Sequence, residues 1–282
     1  MAGIRNRPLM QQIADYDVVQ QVGEGTQGVI WLARPPARLG IADETVAVKT
    51  LNQTATDAEF GRLVEQLRIY ASISSPELHR LYDVGRQGTI IYFAGEYMPS
   101  GSLARPARPF SRVDVLLALA DACRGAHVLH EAGLPHRAIR PGNVVLDDHG
   151  AKLSDLGVSQ LLNPGQTITG AAQMGAIEYL SPEVIQGRPA SRASDIWALG
   201  ATLHRVLTGI SIYPNLPTNS LVEALRFLLN ENPVMGDALR NGERHIIESV
   251  VATDPADRPK TAAQLAEAIA EEAERQAGKI KA

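Results

Sequence analysis

The sequence predicts an α+β protein in which strands occupy the first third of the chain and helices most of the rest. Between residues 16 and 50, apolar and polar residues alternate around glycine-containing turns, which is typical of paired strands. Residues 113–130 carry apolar side chains on most faces of a helical pattern, which is typical of a buried helix. At 282 residues, 45% of them hydrophobic, the chain is long enough for one large domain or for two lobes around a cleft.

Composition and charge exclude several classes of protein. The formal net charge is −4, with both signs mixed along the chain, so nothing favours nucleic acid or an anionic membrane as a partner. Cys123 is the only cysteine and lies in an apolar run, so we expect a small core residue rather than a reactive thiol. The sequence has no signal peptide and no apolar stretch of about 20 residues, which predicts a cytoplasmic protein or the cytosolic domain of a longer membrane protein.

Apolar periodicity places the remaining elements. In the first strands, Val18, Val22, Ile30 and Leu32 are spaced for one face of the sheet. Polar ends at residues 1–15 and 271–282 are expected to be flexible. The further elements, in chain order, are a strand at 45–50, a helix at 57–72, short strands at 79–84 and 89–92, the helix at 113–130, and a last helix that begins with a capping box of Thr261 and Gln264.

A glycine-rich hairpin lies near the start of the strand region. Gly23, Gly25, Gly28 and Ile30 match the pattern G-x-G-x-x-G-x-V, with another β-branched residue at the last position. Glycine at these places lets the backbone approach phosphate oxygens, which a Cβ would prevent. The alternative is an ordinary glycine-containing hairpin. A dinucleotide-binding fold is disfavoured, because a second strand rather than a helix follows the glycines.

A lysine ends the next predicted strand. Lys49 closes the run Val46-Ala47-Val48-Lys49, which has the form of a strand that carries a phosphate-binding lysine. A lone lysine at the end of a strand is usually a solvated charge. Its position one strand after the glycine-rich hairpin favours the functional interpretation.

The most informative stretch runs from residue 136 to residue 157. It contains His136-Arg137-Ala138, then Asn143, then Asp155-Leu156-Gly157. This order resembles the catalytic loop and metal-binding turn of eukaryotic-type Ser/Thr protein kinases, whose pattern is H-R-D, an Asn five residues after the Asp, and D-F-G. The resemblance covers about residues 16–270, because further kinase-like motifs follow in the expected order. The aspartate that would accept the proton of the substrate hydroxyl is Ala138 here.

The resemblance implies a bilobal protein-kinase-like fold. It places a β-rich N-lobe at about 16–95, a hinge at 96–101 and a mostly helical C-lobe at 102–270. It also implies ATP as the ligand, with Mg²⁺ held by the side-chain oxygens of Asn143 and Asp155. The nucleotide-binding positions that it implies are Val22, Gly23, Gly25, Gly28, Ala47, Lys49, Glu96, Met98 and Val145.

Other motif positions are expected to support the fold of the site. The resemblance implies that His136 braces the metal-binding turn and that Asp195 braces the catalytic-loop backbone. Arg258 is expected to pair with Glu183 at the end of the activation segment. Arg140 stands at the position of a lysine that contacts the transferred phosphate, and it keeps the charge with a different shape.

Besides Ala138, three departures from the family pattern bear on catalysis or nucleotide binding. Ala176 replaces a threonine that contacts the catalytic loop, and Gly95 replaces a bulky residue before the hinge. The helix glutamate that would pair with Lys49 falls on Gln66 or, with a one-residue gap, on Glu65. Gly95 predicts an open pocket behind adenine, or else a local bulge filled by a neighbouring side chain. A single engineered change would explain position 138 alone, whereas the combined losses favour natural drift away from catalysis.

These departures predict a pseudokinase, a regulatory or scaffold protein that binds ATP but transfers its phosphate poorly or not at all. The alternatives are a weakly active or engineered-inactive Ser/Thr kinase, and a docking module that binds no nucleotide. The expected partner is a protein of a kinase signalling pathway, either an upstream kinase or a phosphothreonine-reading domain. Thr167 and Thr169, in the polar loop at 159–174, are the candidate phosphoacceptors.

Overall fold

The computed structural model of this chain describes residues 11–25, 28–52, 54–148, 150–156 and 175–281. They form two compact units, 1–71 with 80–97 and 72–79 with 98–282. The α+β fold predicted from the sequence is confirmed, with a strand-rich first unit and a mostly helical second unit. Among the described residues, no helix is both long and apolar enough to cross a membrane.

The first unit is a six-stranded antiparallel sheet in the order β1-β2-β3-β4-β6-β5, with helix α1 inserted between β4 and β5. The helix begins with a reciprocal capping pair, in which the Glu59 carboxylate accepts from the Thr56 N–H at 2.7 Å. The bounds are β1 Gln12–Ile13, β2 Tyr16–Gly25, β3 Gly28–Arg34, β4 Val46–Leu51, α1 Asp57–Ser72, β5 Leu81–Gln87 and β6 Ile90–Glu96.

Residues 11–15 are ordered against this sheet, which corrects the expected flexibility of that part of the start; residues 1–10 lie outside the described residues. Ile13 pairs with Tyr16 across the β1–β2 turn, and both side chains are fully buried in an apolar cluster with Val46 and Val48. Arg38 closes the edge of the cluster, because its guanidinium binds the carboxylates of both Asp15 and Asp83 at 2.6 Å. Residues 11–15 are therefore part of the fold, since a buried isoleucine anchors them.

Two bulges in β2 overturn the expected single apolar face. The register shifts between Val18 and Gln20 and again between Gln21 and Gly23, so that β2 has an extra residue at each place. A bulge reverses the side to which the following residues point. Val18 pairs with Ala33, and both side chains pack on the apolar cluster. Ile30 and Leu32 of β3 lie on the opposite face of the sheet, because side chains alternate along a strand. The prediction that Val18 shares a face with Ile30 and Leu32 was wrong.

The second unit packs helices around a small four-stranded sheet in the order β10-β9-β7-β8. Ser111 and Asp114 form a capping box that starts the long helix α2. The bounds are β7 Gly101–Ser102, β8 Arg105–Pro106, α2 Arg112–Glu131, β9 Val144–Leu146, β10 Ala151–Leu153, α3 Pro182–Ile185, α4 Arg192–Thr208, α5 Leu221–Asn230, α6 Asn241–Val250 and α7 Ala262–Lys281.

Residues 72–79 belong to the second unit, although the sequence placed them in the N-lobe. The Leu153 N–H donates to the Glu77 carbonyl at 2.8 Å, and the His79 N–H donates to the Leu153 carbonyl at 3.0 Å. A Cβ at Gly125 would lie 2.6 Å from the Glu77 carbonyl oxygen, so glycine in the middle of α2 allows this close approach. Cys123, on the same helix, is fully buried, as expected for a core residue.

The C-terminal helix α7 is anchored by a buried polar network, which corrects the expected flexible end from residue 271. Arg112 of α2 binds Glu243 of α6 through two hydrogen bonds of 2.6 and 2.5 Å, and the Glu243 side chain is fully buried. Gln276 of α7 donates to Glu243 at 2.8 Å and to Glu272 at 2.7 Å. The helix therefore continues to Lys281, and its capping box of Thr261 and Gln264 is present as predicted.

A buried histidine fixes the connection after α4. The Gly236 N–H donates to Nε2 of His204 at 2.9 Å, so this nitrogen is the acceptor and Nδ1 carries the hydrogen that faces the Ile210 carbonyl at 3.2 Å. Burial lowers the pKa of the His204 imidazole below its usual value. The folded protein thus holds a neutral imidazole where the unfolded chain would bind a proton.

We expect the free energy of unfolding to fall as the pH is lowered from 7 to 5. The folded pKa of His204 is depressed, so the unfolded state, with a histidine pKa of about 6.5, binds more protons in this window and stability rises with pH. The loss is at most about 2 kcal/mol for this residue. Urea unfolding at several pH values measures it.

The control for this prediction is the variant His204→Gln, which keeps one donor and one acceptor but does not titrate. It should show a smaller dependence of stability on pH than the unmodified chain. The same change at His245, which is exposed on α6, should leave the dependence unaltered. An unaltered dependence in His204→Gln would contradict the assignment.

Candidate nucleotide and catalytic site

The first unit places the candidate nucleotide residues on the sheet face opposite the apolar cluster. Lys49 pairs across the sheet with Ile30 on β3 and Phe93 on β6. Ala47 is two residues away on β4 and therefore points to the same side. Val46 and Val48 point to the other side, into the cluster. The sheet thus separates a structural face from a face that offers one ammonium group.

The glycine-rich hairpin joins β2 and β3. The structure gives different reasons for glycine at positions 23 and 28. A Cβ at Gly28 would lie 1.8 Å from the Thr50 carbonyl oxygen, so the packing of β3 on β4 requires glycine there. A Cβ at Gly23 would make only ordinary contacts of 3.5 Å with Ile30, so the described packing does not demand glycine. Gly23 is accordingly a position where a ligand can explain the glycine. Gly25 pairs with Gly28 at the end of the hairpin, and Val22 is the exposed extra residue of the second bulge.

The two candidate partners of Lys49 lie on different sides of helix α1. Glu65 is exposed, with 67% of its side-chain surface accessible, and pairs with Arg68 at 2.7 Å on the same helix. Gln66 is half-buried and lies on the side of the helix that carries Leu63 and Tyr70. Gln66 therefore occupies the inward position on α1 and Glu65 the exposed one, while the partner of Lys49 stays a prediction.

The end of β6 holds Glu96 firmly. Its carboxylate accepts from the Arg80 N–H at 2.7 Å, and its N–H donates to the Arg80 carbonyl at 3.1 Å. Gly95, the preceding residue, pairs with Ala47 and with Leu81, next to a register shift in β5. A bulge therefore does lie opposite Gly95. The open pocket predicted there stays a prediction.

In the second unit, Asp195 fixes the backbone of the candidate catalytic loop. Its carboxylate accepts from the backbone N–H of His136 at 2.6 Å and from that of Arg137 at 2.8 Å. It also bonds Nε2 of His130 at 2.9 Å. Asp195 is almost completely buried, as expected for a residue that braces the loop. The bonds hold Arg137 at a φ of +70°, which is an uncommon conformation for a residue with a Cβ.

Position 138 is held from both sides although its side chain is only a methyl group. The Ala138 N–H donates to Nδ1 of His136 at 3.3 Å, and its carbonyl accepts from Nδ2 of Asn143 at 2.7 Å. Nε2 of His136 faces the Ser154 carbonyl at 3.0 Å, so the hydrogen of this imidazole is on Nε2. Burial lowers the pKa of His136, which keeps it neutral in these two roles. The loop is therefore pre-organised around a residue with no carboxyl group.

The candidate metal residues are brought together by main-chain bonds. The Ser154 N–H donates to the Asn143 carbonyl at 2.8 Å, which places Asp155, the next residue, beside Asn143. Asp155 has a φ of +62°, a left-handed conformation that is uncommon outside glycine and is often found at functional sites. Since Nδ2 of Asn143 serves the loop, its Oδ1 and the Asp155 carboxylate are the oxygens that suit Mg²⁺. The donor set fits the predicted metal.

Two more of the nucleotide positions, Val145 and Met98, belong to the second unit. Val145, in β9, pairs with Ser102 of β7, and its flanking residues Val144 and Leu146 are buried. The Met98 carbonyl accepts from the Gly101 N–H at 3.2 Å, so its own N–H is the main-chain group that a base could use. These positions are compatible with adenine binding and do not by themselves test it.

The expected pair of Glu183 and Arg258 is present and buried. Arg258 binds the two carboxylate oxygens at 2.8 and 3.0 Å, and its remaining hydrogens reach the carbonyls of Ala193, Ala252 and Thr253. All five donors of the guanidinium are thus used, and its plane lies 4.9 Å from the centre of the Trp197 ring. Burial alone would raise the pKa of the Glu183 carboxyl, but the hydrogen bonds from Arg258 hold it below its usual value.

Sequence reasoning missed three contributors to this site. His130 supports Asp195, Ser154 links the two metal positions, and Glu178 lies 3.8 Å from Arg205 with only 15% of its side chain exposed. None of these residues lies at a position whose chemistry is evident from spacing alone, since each acts through a neighbour. Gly157, Thr167 and Thr169 lie outside the described residues, so the predicted phosphoacceptors stay predictions.

Comparison with known proteins agrees with this geometry. The sequence model of the protein kinase domain family matches residues 16–269 of this chain. The chain belongs to the protein kinase family. Among its relatives, it is 29% identical to the serine/threonine-protein kinase PknK of Mycobacterium bovis, over 94% of this chain and 24% of that protein. It is 28% identical to the serine/threonine-protein kinase PrkC of Bacillus subtilis, over 89% of this chain and 39% of that protein.

These relatives are serine/threonine-protein kinases, which agrees with the family predicted from the sequence motifs. Similarity extends to the serine/threonine-protein kinase PknA of Mycobacterium tuberculosis, at 27% identity over 90% of this chain and 60% of that protein. The chain thus spans about a quarter of the length of the first of these relatives and less than two thirds of the others. The kinase family establishes the fold of this protein; the consequence of Ala138 for catalysis is a separate matter.

We expect Arg258→Lys to lower the free energy of unfolding by about 3 kcal/mol, because lysine offers three donors on a flexible stem and leaves a buried carboxylate and several carbonyls poorly paired. Chemical denaturation measures the change. The matched control is Arg124→Lys, in an exposed pair with Asp121 at 2.6 Å, which should change stability by less than about 0.5 kcal/mol. Equal losses in the two variants would refute the importance of the buried pair.

Proposed function

We propose that this protein is a pseudokinase, a regulatory or scaffold protein that binds ATP with Mg²⁺ and transfers phosphate little or not at all. The observation that carries the proposal is Ala138, whose backbone is held by His136 and Asn143 in a loop that lacks the carboxylate a kinase needs there. General-base catalysis contributes a factor of about 10²–10⁴ to the rate. Its loss leaves a site suited to binding more than to turnover.

ATP binding is supported by the residues that remain. Lys49 supplies one positive charge for phosphate oxygens, and Asn143 and Asp155 supply oxygen ligands for a hard cation. When bound, Mg²⁺ would neutralise charge on the phosphates. Two further features weaken the catalytic interpretation, because Gln66 holds the inward place on α1 and Ala176 lacks a hydroxyl.

The same loop geometry favours one alternative, a slow Ser/Thr kinase. Phosphoryl transfer depends largely on positioning and electrostatics, so an intact loop without its base can retain some rate. We further propose a cytoplasmic location and a protein partner in a kinase signalling pathway, with an upstream kinase or a phosphothreonine-reading domain acting on Thr167 or Thr169.

The first test is a thermal titration with ATP, with and without Mg²⁺. We expect millimolar ATP to raise the melting temperature, and Mg²⁺ to raise it further, because a ligand that binds only the folded state stabilises it. Asn143→Ala should reduce the Mg²⁺-dependent part, whereas Asn230→Ala, at the exposed end of α5, should not. A melting temperature that ATP leaves unmoved would favour the docking module without a nucleotide.

The second test is transfer of labelled phosphate to the protein itself and to a generic substrate. We expect little transfer by the unmodified chain and an increase of about 10²-fold or more in Ala138→Asp, since the loop already holds that position. Recovery of an ordinary kinase rate would indicate that one substitution explains the inactivity. Ordinary turnover by the unmodified chain would refute the pseudokinase proposal.

A further inference from the structure

An exposed, positively charged hairpin lies beside the catalytic loop. Residues 97–113 contain three arginines and no acidic residue. Two of them, Arg105 and Arg108, belong to the β7–β8 hairpin, which we call the Arg-Pro hairpin (residues 101–109); its residues 104–109 are all exposed. The third, Arg112, is neutralised by Glu243. The hairpin therefore presents two guanidinium groups to solvent.

The hairpin is joined directly to the catalytic loop. The Ala104 N–H donates to the Pro141 carbonyl at 3.2 Å, and the Leu103 N–H donates to the Val144 carbonyl at 2.9 Å. Arg105 follows Ala104, and Arg140 precedes Pro141, so the main chain at each arginine lies next to a residue of this hydrogen bond. A third cation, at the start of the loop turn, thus extends the charge of the hairpin.

None of these three arginines has a carboxylate partner among the residues that the structure describes. Nine of the seventeen other arginines that the structure describes have a carboxylate partner, including the exposed Arg124 and Arg192. Glu178, on the motif that follows the predicted activation segment, is already paired with Arg205 at 3.8 Å. Residues 132–146 carry two arginines and no acid, because the loop position that is acidic in a working kinase is an alanine here.

We propose that the Arg-Pro hairpin and Arg140 form a docking surface for an acidic segment of a protein partner, rich in Asp and Glu. The proposal rests on the pseudokinase function and names the class of partner. Arginine binds carboxylates through two parallel hydrogen bonds, which suits all three positions. The proposal also gives the loss of the aspartate at position 138 a second consequence. An aspartate there would repel the partner's carboxylates, whereas Ala138 does not.

The charge pattern favours a peptide over other anions. Arg105 and Arg108 are separated by Pro106 and Ala107 and are both exposed, which suits separate carboxylates better than a single phosphate. Membrane recognition uses clusters of about four to eight basic residues, and nucleic-acid binders commonly make about six to ten phosphate contacts. The three arginines are too few for either surface.

The test is the fluorescence anisotropy of a labelled twelve-residue peptide of alternating Glu and Gly, titrated with the full chain at low and high salt. We expect binding that weakens with salt and is absent for the Gln–Gly counterpart. The double variant Arg105→Gln/Arg108→Gln should weaken binding about three- to tenfold, and Ala138→Asp about two- to threefold. Arg226→Gln, an exposed arginine on α5, is the matched control and should not change it.

Several outcomes would overturn the docking proposal. They are equal binding of the neutral peptide, unchanged binding by the double variant, tighter binding of a phosphothreonine peptide, or binding to phosphatidylserine vesicles in place of the peptide. Failure here is separable from failure of the pseudokinase proposal, because the double variant leaves the ATP-binding positions intact and should keep the ATP-dependent rise in melting temperature.

Discussion

The buried carboxylate of Asp195 is the interaction on which the candidate site depends. Its two oxygens accept from two consecutive main-chain N–H groups and from His130, so the loop cannot relax to another conformation without leaving a buried charge unsatisfied. This accounts for the φ of +70° at Arg137, a conformation that costs of order 1–3 kcal/mol and persists only where neighbouring contacts enforce it. The carboxylate itself is placed by the first turn of α4, which begins at a capping box formed by Ser191.

Because Asp195 binds main-chain groups, the conformation of the catalytic loop does not depend on which side chain stands at position 138. Because the main chain around position 138 is held by His136 and Asn143 rather than by the residue's own side chain, the loss of an aspartate there does not disturb its neighbours. A working site can lose its reactive group and remain folded for binding. For the same reason, the charge at position 138 can change without altering the loop. Compared with an aspartate, Ala138 removes a negative charge from residues 132–146, whose only charged side chains are two arginines.

Much of the fold and of the site followed from sequence, because the motifs pair residue types with fixed spacing. The adjacency of Asn143 and Asp155 and the pairing of Arg258 with Glu183 could be predicted, since both follow from the order of motifs along the chain. The two bulges of β2 could not, because an inserted residue changes which face a side chain occupies without changing the composition of the strand. The ends of the chain were misjudged for a related reason: one buried Ile13, and a network around the polar residue Gln276, outweigh the polar character of their surroundings.

The segment at residues 72–79 has a consequence for how this chain can be divided. The polypeptide passes between the two units at 71/72, 79/80 and 97/98, so neither unit is a single continuous piece. A chimera that exchanges the strand-rich unit for that of a relative must leave this short segment with the helical host, where Gly125 makes room for it. A fragment cut after residue 97 would carry Leu78 without the strand beside which it is buried, and would tend to aggregate through that exposed apolar surface.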